Sequence, residues 1–310
     1  MNFEDAIMSM PLGGEPKSLY DPIKYIMKLG GKRLRPTLVL MAYRLYREDP
    51  SGIMMYALGV EAFHNFTLMH DDIMDNAPLR RGKPTVHEKF GVNTAILSGD
   101  VMLVKVYEMF TSLPDSQLRE VLTLFNKTAT EVCEGQQIDM LFEDLKSVSE
   151  QDYLNMIRLK TAVLLGFSLE LGAILAGAPQ EDRKALYDFG VNIGMGFQLM
   201  DDLLDVYGDQ KKFGKTVGGD IVSNKKTYLL ITALKRKRKE ISKWLSAKKF
   251  DKRKKVAAVT KIYDSLRIRE LTQKKADEYF EAGYRCLDLI SNPGKAELIA
   301  FAKNLAARQK

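Results

Sequence analysis

The apolar periodicity of this chain constrains its fold most, because it follows the helical repeat along nearly the whole length. Ala62, Asn65 and Met69, for example, recur at spacings of three and four residues, with Met, Phe and Val on the other faces. A helix that is apolar on almost every side is buried in a folded protein. The helical period runs through 53–75, 117–142, 151–176, 181–205, 226–244, 253–264, 268–289 and 295–307. Glycine and proline separate these stretches and no alternating strand pattern occurs, so the sequence predicts an all-α fold with one domain over 1–310.

Composition narrows the class of protein. With 310 residues, 45% of them hydrophobic, the chain can bury a substantial core and is neither disordered nor fibrous. Cys133 and Cys286 are its only cysteines, which favours a reducing compartment, and the first residues lack the pattern of a signal peptide. The most apolar window, 161–178, is interrupted by Glu170 and three glycines. We therefore expect a cytoplasmic protein in which this window is a buried helix and not a membrane span.

The net charge of +7 is concentrated in one basic patch, residues 235–255. This patch carries twelve Lys or Arg against Glu240 and Asp251, a charge of +10, which leaves −3 for the rest of the chain. Such a patch can contact phosphate, nucleic acid or anionic lipid. The two basic runs, 235–239 and 252–255, contain none of the aromatic residues that a base-stacking surface needs. We therefore favour a solvated helix end and loop, and expect no nucleic-acid partner.

Two acidic clusters share the pattern Asp-Asp-apolar-apolar-Asp, each after a strongly apolar helical stretch. The clusters are Asp71, Asp72 and Asp75, and Asp201, Asp202 and Asp205. Residues i and i+4 of a helix lie one turn apart on the same face, so Asp71 and Asp75 can grip cations together while Asp72 supports them from the flank. Three carboxylates in one turn repel each other and need compensating charge. Oxygen ligands select hard cations, and Mg²⁺ is typically held by one or two carboxylates plus substrate phosphates, so both clusters predict Mg²⁺ sites.

Basic residues accompany both clusters. The run 30–36, GGKRLRP, is a glycine turn that presents cations just before a helix, and the run 80–83, RRGK, lies just past the first cluster. Glycine permits close approach to a ligand, while Lys and Arg bind phosphate. Lys215, Lys225 and Lys226 follow the second cluster. Acid, metal, phosphate and base at both ends of one cavity would suit two diphosphate substrates.

In these motifs the sequence resembles the trans-isoprenyl diphosphate synthases, or polyprenyl synthetases. The resemblance covers about residues 20–228 and rests on the combination of GGKRLRP, EAFHNFTLMHDDIMD, RRGKPTVH, EGQQIDM, LKTA, FQLMDDLLD, FGKTVGGD and NKKTYLL. It implies a single large bundle of antiparallel helices around a deep central cavity, and a homodimer without a membrane span. The implied activity is the condensation of isopentenyl diphosphate with dimethylallyl, geranyl or farnesyl diphosphate, with two or three Mg²⁺ ions.

The resemblance also implies roles for individual residues. Those that match the isopentenyl diphosphate site are Lys32, Arg35, His64 and Arg81. The first Mg²⁺ site matches Asp71 and Asp75 with Asp72 supporting, and the second matches Asp201 with Asp205 supporting. Cations around the allylic diphosphate match Arg80, Lys160, Lys215 and Lys225. Thr161 and Gln198 match groups whose oxygens face the developing allylic cation, and Gln136 and Asp139 match an auxiliary pair near the metals. The catalytic set of this interpretation is Asp71, Asp72, Asp75, Lys160, Thr161, Gln198, Asp201, Asp202 and Asp205; His70 is assigned a structural role.

Product length is expected to depend on Phe66 and Phe63. Phe66 lies five residues before Asp71, about 7.5 Å along the helix at ~1.5 Å per residue, and Phe63 lies one turn further. In the family an aromatic residue here resembles short-chain synthases, in which a bulky side chain stops the growing tail. Thr67 is not a second aromatic residue, as in many farnesyl enzymes, and the first cluster lacks the two-residue insertion of bacterial farnesyl enzymes. We therefore expect geranylgeranyl diphosphate (C20), with farnesyl diphosphate (C15) as the alternative.

Three other functions are alternatives for this sequence. A terpene cyclase normally carries an Asn/Asp…Ser/Thr…Glu second metal motif and needs no isopentenyl site. A non-catalytic partner subunit is expected to lose one acidic cluster, and a nucleic-acid module would have to use the basic patch.

Overall fold

The computed structural model describes residues 3–10, 12–208, 218–247 and 249–307. The chain is 79% helical with almost no sheet, which confirms the all-α prediction. It divides into two compact units. The first unit comprises Met1–Lys127 and Phe167–Leu186, and the second comprises Thr128–Gly166 and Tyr187–Lys310. A single domain over 1–310 stays a prediction.

The helices of the N-terminal part are short until α4. They are α1 (Phe3–Met8), α2 (Lys17–Lys28), α3 (Leu34–Arg44), α4 (Met54–Met74), α5 (Val86–Phe90) and α6 (Val92–Thr111), with a 3₁₀ turn at Ser51–Ile53. Strands β1 (Leu79–Arg80) and β2 (Lys83–Pro84) pair antiparallel. The two residues between them, Arg81 and Gly82, have φ of +53° and +74°. Positive φ at both central positions is the geometry of a tight hairpin turn, which sequence periodicity did not predict because each strand has only two residues.

The remaining helices include the long ones expected from the sequence. They are α7 (Asp115–Asp144), α8 (Glu150–Ile157), α9 (Val163–Ala176), α10 (Gln180–Tyr207), α11 (Gly219–Ser223), α12 (Tyr228–Leu245), α13 (Lys252–Ser265), α14 (Ile268–Asp288) and α15 (Lys295–Ala307). Their ends agree with the predicted stretches to within a few residues. One difference lies between α8 and α9, where Arg158–Ala162 forms a π-helical turn. A π turn inserts one residue into a helical ladder, and it is frequent at functional sites.

An aromatic cluster fills the core of the first unit. Phe63 on α4 packs edge-on against Phe125 on α7 at a centroid distance of 5.1 Å. Phe110 and Phe167 pack on the same Phe125 ring at 5.0 and 5.7 Å. All four side chains are almost inaccessible to solvent, and each buries apolar area that contributes a few kcal/mol. This aromatic packing fixes the position of α4 within the first unit. The same helix ends at the first acidic cluster.

Glycines hold the π turn of the second unit against its neighbours. A Cβ on Gly135 of α7 would lie 2.3 Å from the backbone nitrogen of Lys160, and one on Gly194 of α10 would lie 2.7 Å from Cα of Ala162. Real Cβ atoms do not approach this closely. Two helices therefore touch the π turn backbone-to-backbone, and they fix the directions of the Lys160 and Thr161 side chains.

One helical stretch among the described residues, Glu150–Ala176, is long and apolar enough to cross a membrane by length and composition. Of its most apolar 18-residue window, 78% is buried inside the protein. Burial of this kind is what a core helix shows, in keeping with the expectation for residues 161–178.

The basic patch is only partly a solvated surface. Lys255 on α13 is fully buried, and its Nζ donates hydrogen bonds to the Val222 carbonyl (3.1 Å) and to Asn224 Oδ1 (2.6 Å). This lysine therefore caps the C-terminal end of α11. Lys235 forms an ion pair with Glu150 at 3.1 Å.

Gly172→Ala is predicted to destabilise the protein. Gly172 lies on α9, and its Cβ would fall 2.1 Å from the Val39 carbonyl oxygen of α3, so the two helices must separate. We expect a loss of about 1–3 kcal/mol, the usual range for overpacking, measured as a lower midpoint of thermal unfolding. Gly59→Ala is the matched control, since Gly59 is also helical and its Cβ would make ordinary contact with Phe110. A Gly172→Ala variant as stable as the control would contradict the close packing.

Candidate active site

The first acidic cluster lies at the C-terminal end of α4. Asp72 is buried and receives a bidentate pair of hydrogen bonds from Arg80, Nε to Oδ2 and Nη2 to Oδ1, both 2.7 Å. Arg80 Nη2 also lies 3.6 Å from Asp71 Oδ2. Burial raises the pKa of Asp72, and the hydrogen bonds and charge of Arg80 oppose that rise. Asp75 follows the last turn of the helix and is exposed. The cluster thus divides into one inward carboxylate that positions Arg80 and two carboxylates nearer solvent.

A buried ion pair anchors the loop that carries the glycine turn. Arg33 Nη1 lies 2.7 Å from Glu61 Oε1 on α4, and Arg33 Nη2 donates to the Met27 carbonyl at 2.8 Å. The backbone of Arg33 is left-handed, with φ of +48°. Sequence reasoning assigned Lys32 and Arg35 and missed this pair. The available signal was Glu61 itself, a carboxylate on the apolar face of a buried helix, which needs a cation.

The hairpin between β1 and β2 reaches the same loop. A Cβ on Gly31 would lie 2.8 Å from the guanidinium carbon of Arg81, so a side chain here would displace the guanidinium. Gly31 also has φ of +141°, which side-chain-bearing residues rarely adopt. The neighbouring residues Arg80 and Arg81 therefore point to two places, the acidic cluster and the glycine turn.

The cation group, defined as Lys32, Arg35, His64 and Arg81, has strong electrostatic coupling. Burial holds the pKa of His64 well below its ordinary value, and the charges of Arg35 and Arg81 lower it further. Burial also lowers the pKa of Arg35 to about 10, although Glu61 opposes this. The structure brings Arg35, His64 and Arg81 together, and Lys32 is exposed on the adjoining loop. His64 is neutral here, and the two arginines make the group a strong anion site.

The second acidic cluster lies near the C-terminal end of α10. Asp202 is buried and accepts hydrogen bonds from Tyr153 of α8 and, at 3.1 Å, from Nε2 of Gln198. Burial and the charge of Asp220 raise the pKa of Asp202, while those two hydrogen bonds favour the ionised form. Asp201 is exposed, and Asp205 Oδ2 accepts from the Asp220 backbone nitrogen at 2.9 Å. As in the first cluster, the middle carboxylate faces inward.

Two lysines and a carboxylate lie beside the π turn of the second unit. Lys160 Nζ donates to Asp139 Oδ2 at 2.7 Å, and Lys225 lies 3.9 Å from the same oxygen. Burial alone would raise the pKa of Asp139, but Lys225 and Lys160 outweigh burial and lower it. Gln136 Nε2 is buried without a hydrogen-bond partner among the described residues. Lys215 falls within 209–217, outside the described residues.

The residues present fit Mg²⁺ only in company with phosphate. Within the described ranges, no group of three or more His, Cys, Asp or Glu is arranged to hold a metal ion by itself. Mg²⁺ is usually bound by one or two carboxylates plus substrate phosphates and water. Asp71 with Asp75, and Asp201 with Asp205, offer oxygen donors at that number and hardness. The donor set therefore suits Mg²⁺ carried with a polyphosphate.

Phe66 joins the first acidic cluster to the aromatic core. It is 8% exposed, and its ring lies 5.7 Å from Phe63 and 4.8 Å from the ring of His70. His70 Nε2 lies 3.2 Å from the Ile96 carbonyl, and a Cβ on Gly99 would collide with the imidazole. This packing gives His70 a structural role. Phe66 therefore has firm support on both sides.

Comparisons with known proteins agree on one family. The sequence profile of the polyprenyl synthetase family matches residues 16–266. A short chain isoprenyl diphosphate synthase of Methanocaldococcus jannaschii is 47% identical over 218 residues, 70% of this chain and 66% of that protein. A geranylgeranyl pyrophosphate synthase of Geoglobus acetivorans is 37% identical over 300 residues, 95% of this chain and 92% of that protein. A crystal structure of a geranylgeranyl pyrophosphate synthase has a TM-score of 0.95 at 42% identity, covering 99% of this chain and 97% of that one.

Titration of His64 tests the electrostatics of the cation group. We predict an imidazole pKa well below the ordinary value, because burial and the neighbouring arginines disfavour the imidazolium. The pKa is measured by NMR, and the resonance is assigned with a His64→Gln variant. Arg81→Ala removes one cation and should raise the pKa, whereas Arg119→Ala, an exposed arginine of α7, should leave it unchanged. An ordinary pKa in the unmodified protein would contradict the proposed arrangement.

Proposed function

Because this chain belongs to the polyprenyl synthetase family, we propose that it joins isopentenyl diphosphate to allylic diphosphates and stops at the C20 product, geranylgeranyl diphosphate. The chain is a prenyltransferase, and relatives named geranylgeranyl diphosphate synthase support the C20 product. The observation that carries the proposal is the placement of Arg80 and Arg81. These neighbours on one hairpin reach an acidic helix end and a cation group, two different kinds of diphosphate site in one unit.

The cation group binds the diphosphate of isopentenyl diphosphate in this proposal. Arg35 and Arg81 supply positive charge, and neutral His64 supplies a hydrogen bond. Arg33 and Glu61 hold the loop that carries Lys32 in place. No metal is needed at this diphosphate, since the arginines compensate its charge directly.

The acidic clusters would hold the allylic diphosphate through two or three Mg²⁺ ions, as the family resemblance implies. Asp71 and Asp75, with Asp72 supporting, and Asp201, with Asp205 supporting, would be the ligands. When bound, Mg²⁺ neutralises the diphosphate and makes it a better leaving group. Further cations at this diphosphate are Arg80, Lys160, Lys215 and Lys225.

The reaction breaks the C–O bond of the allylic diphosphate and forms one carbon–carbon bond. The double bond of isopentenyl diphosphate attacks the allylic cation, and a proton is lost to the departing diphosphate, which leaves a trans double bond. The oxygens of Thr161 and Gln198 carry partial negative charge and stabilise the cation as it develops. This sequence of steps uses no side-chain nucleophile.

Phe66 sets the product length in this proposal. It lies about one and a half helical turns below Asp71, with Phe63 behind it, and the aromatic core supports Phe63. A growing prenyl chain would therefore meet a stiff floor.

We also propose a cytoplasmic homodimer; the exposed apolar side chains of Leu97 and Val104 on α6 offer surface for a second copy.

The activity is tested by incubating the protein with Mg²⁺, isopentenyl diphosphate and dimethylallyl, geranyl or farnesyl diphosphate in turn. We expect the C20 diphosphate by mass spectrometry from each primer. Asp71→Ala should lower turnover by several orders of magnitude, because it removes one of the two carboxylates proposed to hold the metal at the leaving diphosphate. Asp288→Ala, an exposed aspartate at the end of α14, is the control and should keep full activity. Absence of prenyl products in the unmodified protein would refute the proposal.

Phe66→Ala is predicted to lengthen the products when isopentenyl diphosphate is in excess. Removing the ring opens space below the first acidic cluster, so the chain can grow past C20. The product distribution is sized by mass spectrometry. Phe90→Ala, which removes an aromatic ring packed on Tyr25 of the same unit, should leave the distribution as it is. Unchanged products in the Phe66 variant would exclude Phe66 as the floor.

A further inference from the structure

Four side chains of the second unit form one continuous chain of hydrogen bonds. Tyr153 of α8 is 1% exposed, and its hydroxyl donates to Asp202 Oδ2. Gln198 Nε2 donates to Asp202 Oδ1 at 3.1 Å. Thr161 Oγ1, on the π turn, donates to Gln198 Oε1 at 3.1 Å. The chain therefore runs from a buried tyrosine to the half-buried oxygens of Thr161 and Gln198.

Asp202 determines which end of the Gln198 amide faces Thr161. Both oxygens of Asp202 accept hydrogen bonds, Oδ2 from the Tyr153 hydroxyl and Oδ1 from the amide nitrogen of Gln198, so the amide oxygen of Gln198 lies on the other side. The two ends of an amide have nearly the same size, so packing alone does not distinguish them. Tyr153 occupies the second carboxylate oxygen and fixes the plane of Asp202.

The orientation has a chemical consequence at a cation. An amide oxygen carries partial negative charge and an amide NH₂ partial positive charge. Oriented dipoles in a water-poor site contribute more to charge stabilisation than they do in water, so reversal of one amide changes a stabilising dipole into a destabilising one. The close packing of Gly135 and Gly194 fixes the π turn and Thr161. Gln198, by contrast, depends on its hydrogen bonds.

We infer that Tyr153 and Asp202 are positioning residues, which hold the Gln198 amide with its oxygen directed toward the developing allylic cation. This inference rests on the proposed function, in which the oxygens of Thr161 and Gln198 stabilise that cation. It gives the middle aspartate of the second cluster a task other than metal binding. It also assigns a role to Tyr153, which lies outside the motifs on which the resemblance rests.

The test reverses the amide and then restores the oxygen. In D202N the new side chain accepts from Tyr153 and presents NH₂ to Gln198, so the amide of Gln198 turns and points NH₂ toward the cation. We expect kcat to fall about 100- to 1,000-fold, the range for loss of a preorganised dipole, with the KM for isopentenyl diphosphate within about twofold. In D202N/Q198E the carboxylate introduced at position 198 accepts from position 202 and again presents an oxygen. We expect kcat to recover to within about tenfold of the unmodified enzyme.

Tyrosine variants give an independent measurement. Y153F removes one anchor of Asp202 and should lower kcat about tenfold without changing the KM for isopentenyl diphosphate. Y207F is the matched control, since Tyr207 also donates to an aspartate, Asp264 at 3.0 Å, on the same unit; its kcat should not change.

Three results would overturn the inference: kcat of D202N within twofold of the unmodified enzyme, a folded double variant no more active than D202N, or equal effects of Y153F and Y207F. Thermal unfolding identifies a double variant that does not fold, and the tyrosine pair then decides. An unmodified protein without prenyl products would refute the proposed function instead, so the two failures are distinguishable.

Discussion

The need to compensate the charges of buried carboxylates is the constraint on which the rest of the site depends. The buried carboxylates of the described residues have specific partners: Asp72 has Arg80, Glu61 has Arg33, and Asp202 accepts hydrogen bonds from Tyr153 and Gln198. The half-buried Asp139 pairs with Lys160. A buried charge without a partner costs several kcal/mol, so these pairs decide which side chains can stay inside. The inward-facing carboxylates are engaged by these partners and hold the partner side chains in position. The carboxylates nearer solvent, at the same helix ends, are the ones suited to an external cation.

Unusual backbone geometry places these charges where helices alone would not. The left-handed backbone at Arg33 places its guanidinium beside Glu61. The hairpin turn at Arg81 and Gly82 directs Arg80 toward the acidic cluster and Arg81 toward the glycine turn. The π turn at Arg158–Ala162 directs Lys160 toward Asp139 and Thr161 toward Gln198. Such features store strain that a protein keeps where surrounding contacts over-determine it. Here close contacts at glycine residues and buried ion pairs hold the backbone in these conformations.

Much of this arrangement was accessible from the sequence, since helical period and cluster spacing depend only on residue order. The helices, the acidic clusters and the cations beside them follow from such patterns. The pairing of Arg33 with Glu61 does not, because periodicity gives the face of a residue and not its partner across the fold. Neither the inward orientation of Asp202 nor the π turn follows from these sequence patterns. The one residue inserted by the π turn leaves the apolar pattern of 151–176 intact. The expectation that the basic patch is a solvated surface was partly wrong for the same reason. Lys255 lies in a charged run of the sequence, but tertiary contacts bury it.

The most direct measurement of the central claim is calorimetric binding of inorganic pyrophosphate with and without Mg²⁺. If the helix-end carboxylates bind a cation only together with diphosphate, Mg²⁺ should add a second, tighter binding event to the metal-independent binding at the cation group. A D71A/D75A/D201A/D205A variant, which lacks the proposed ligands of both clusters, should lose the Mg²⁺-dependent event and keep the other. Pyrophosphate binding that is the same with and without Mg²⁺, or a Mg²⁺ dependence that survives in this variant, would contradict the account.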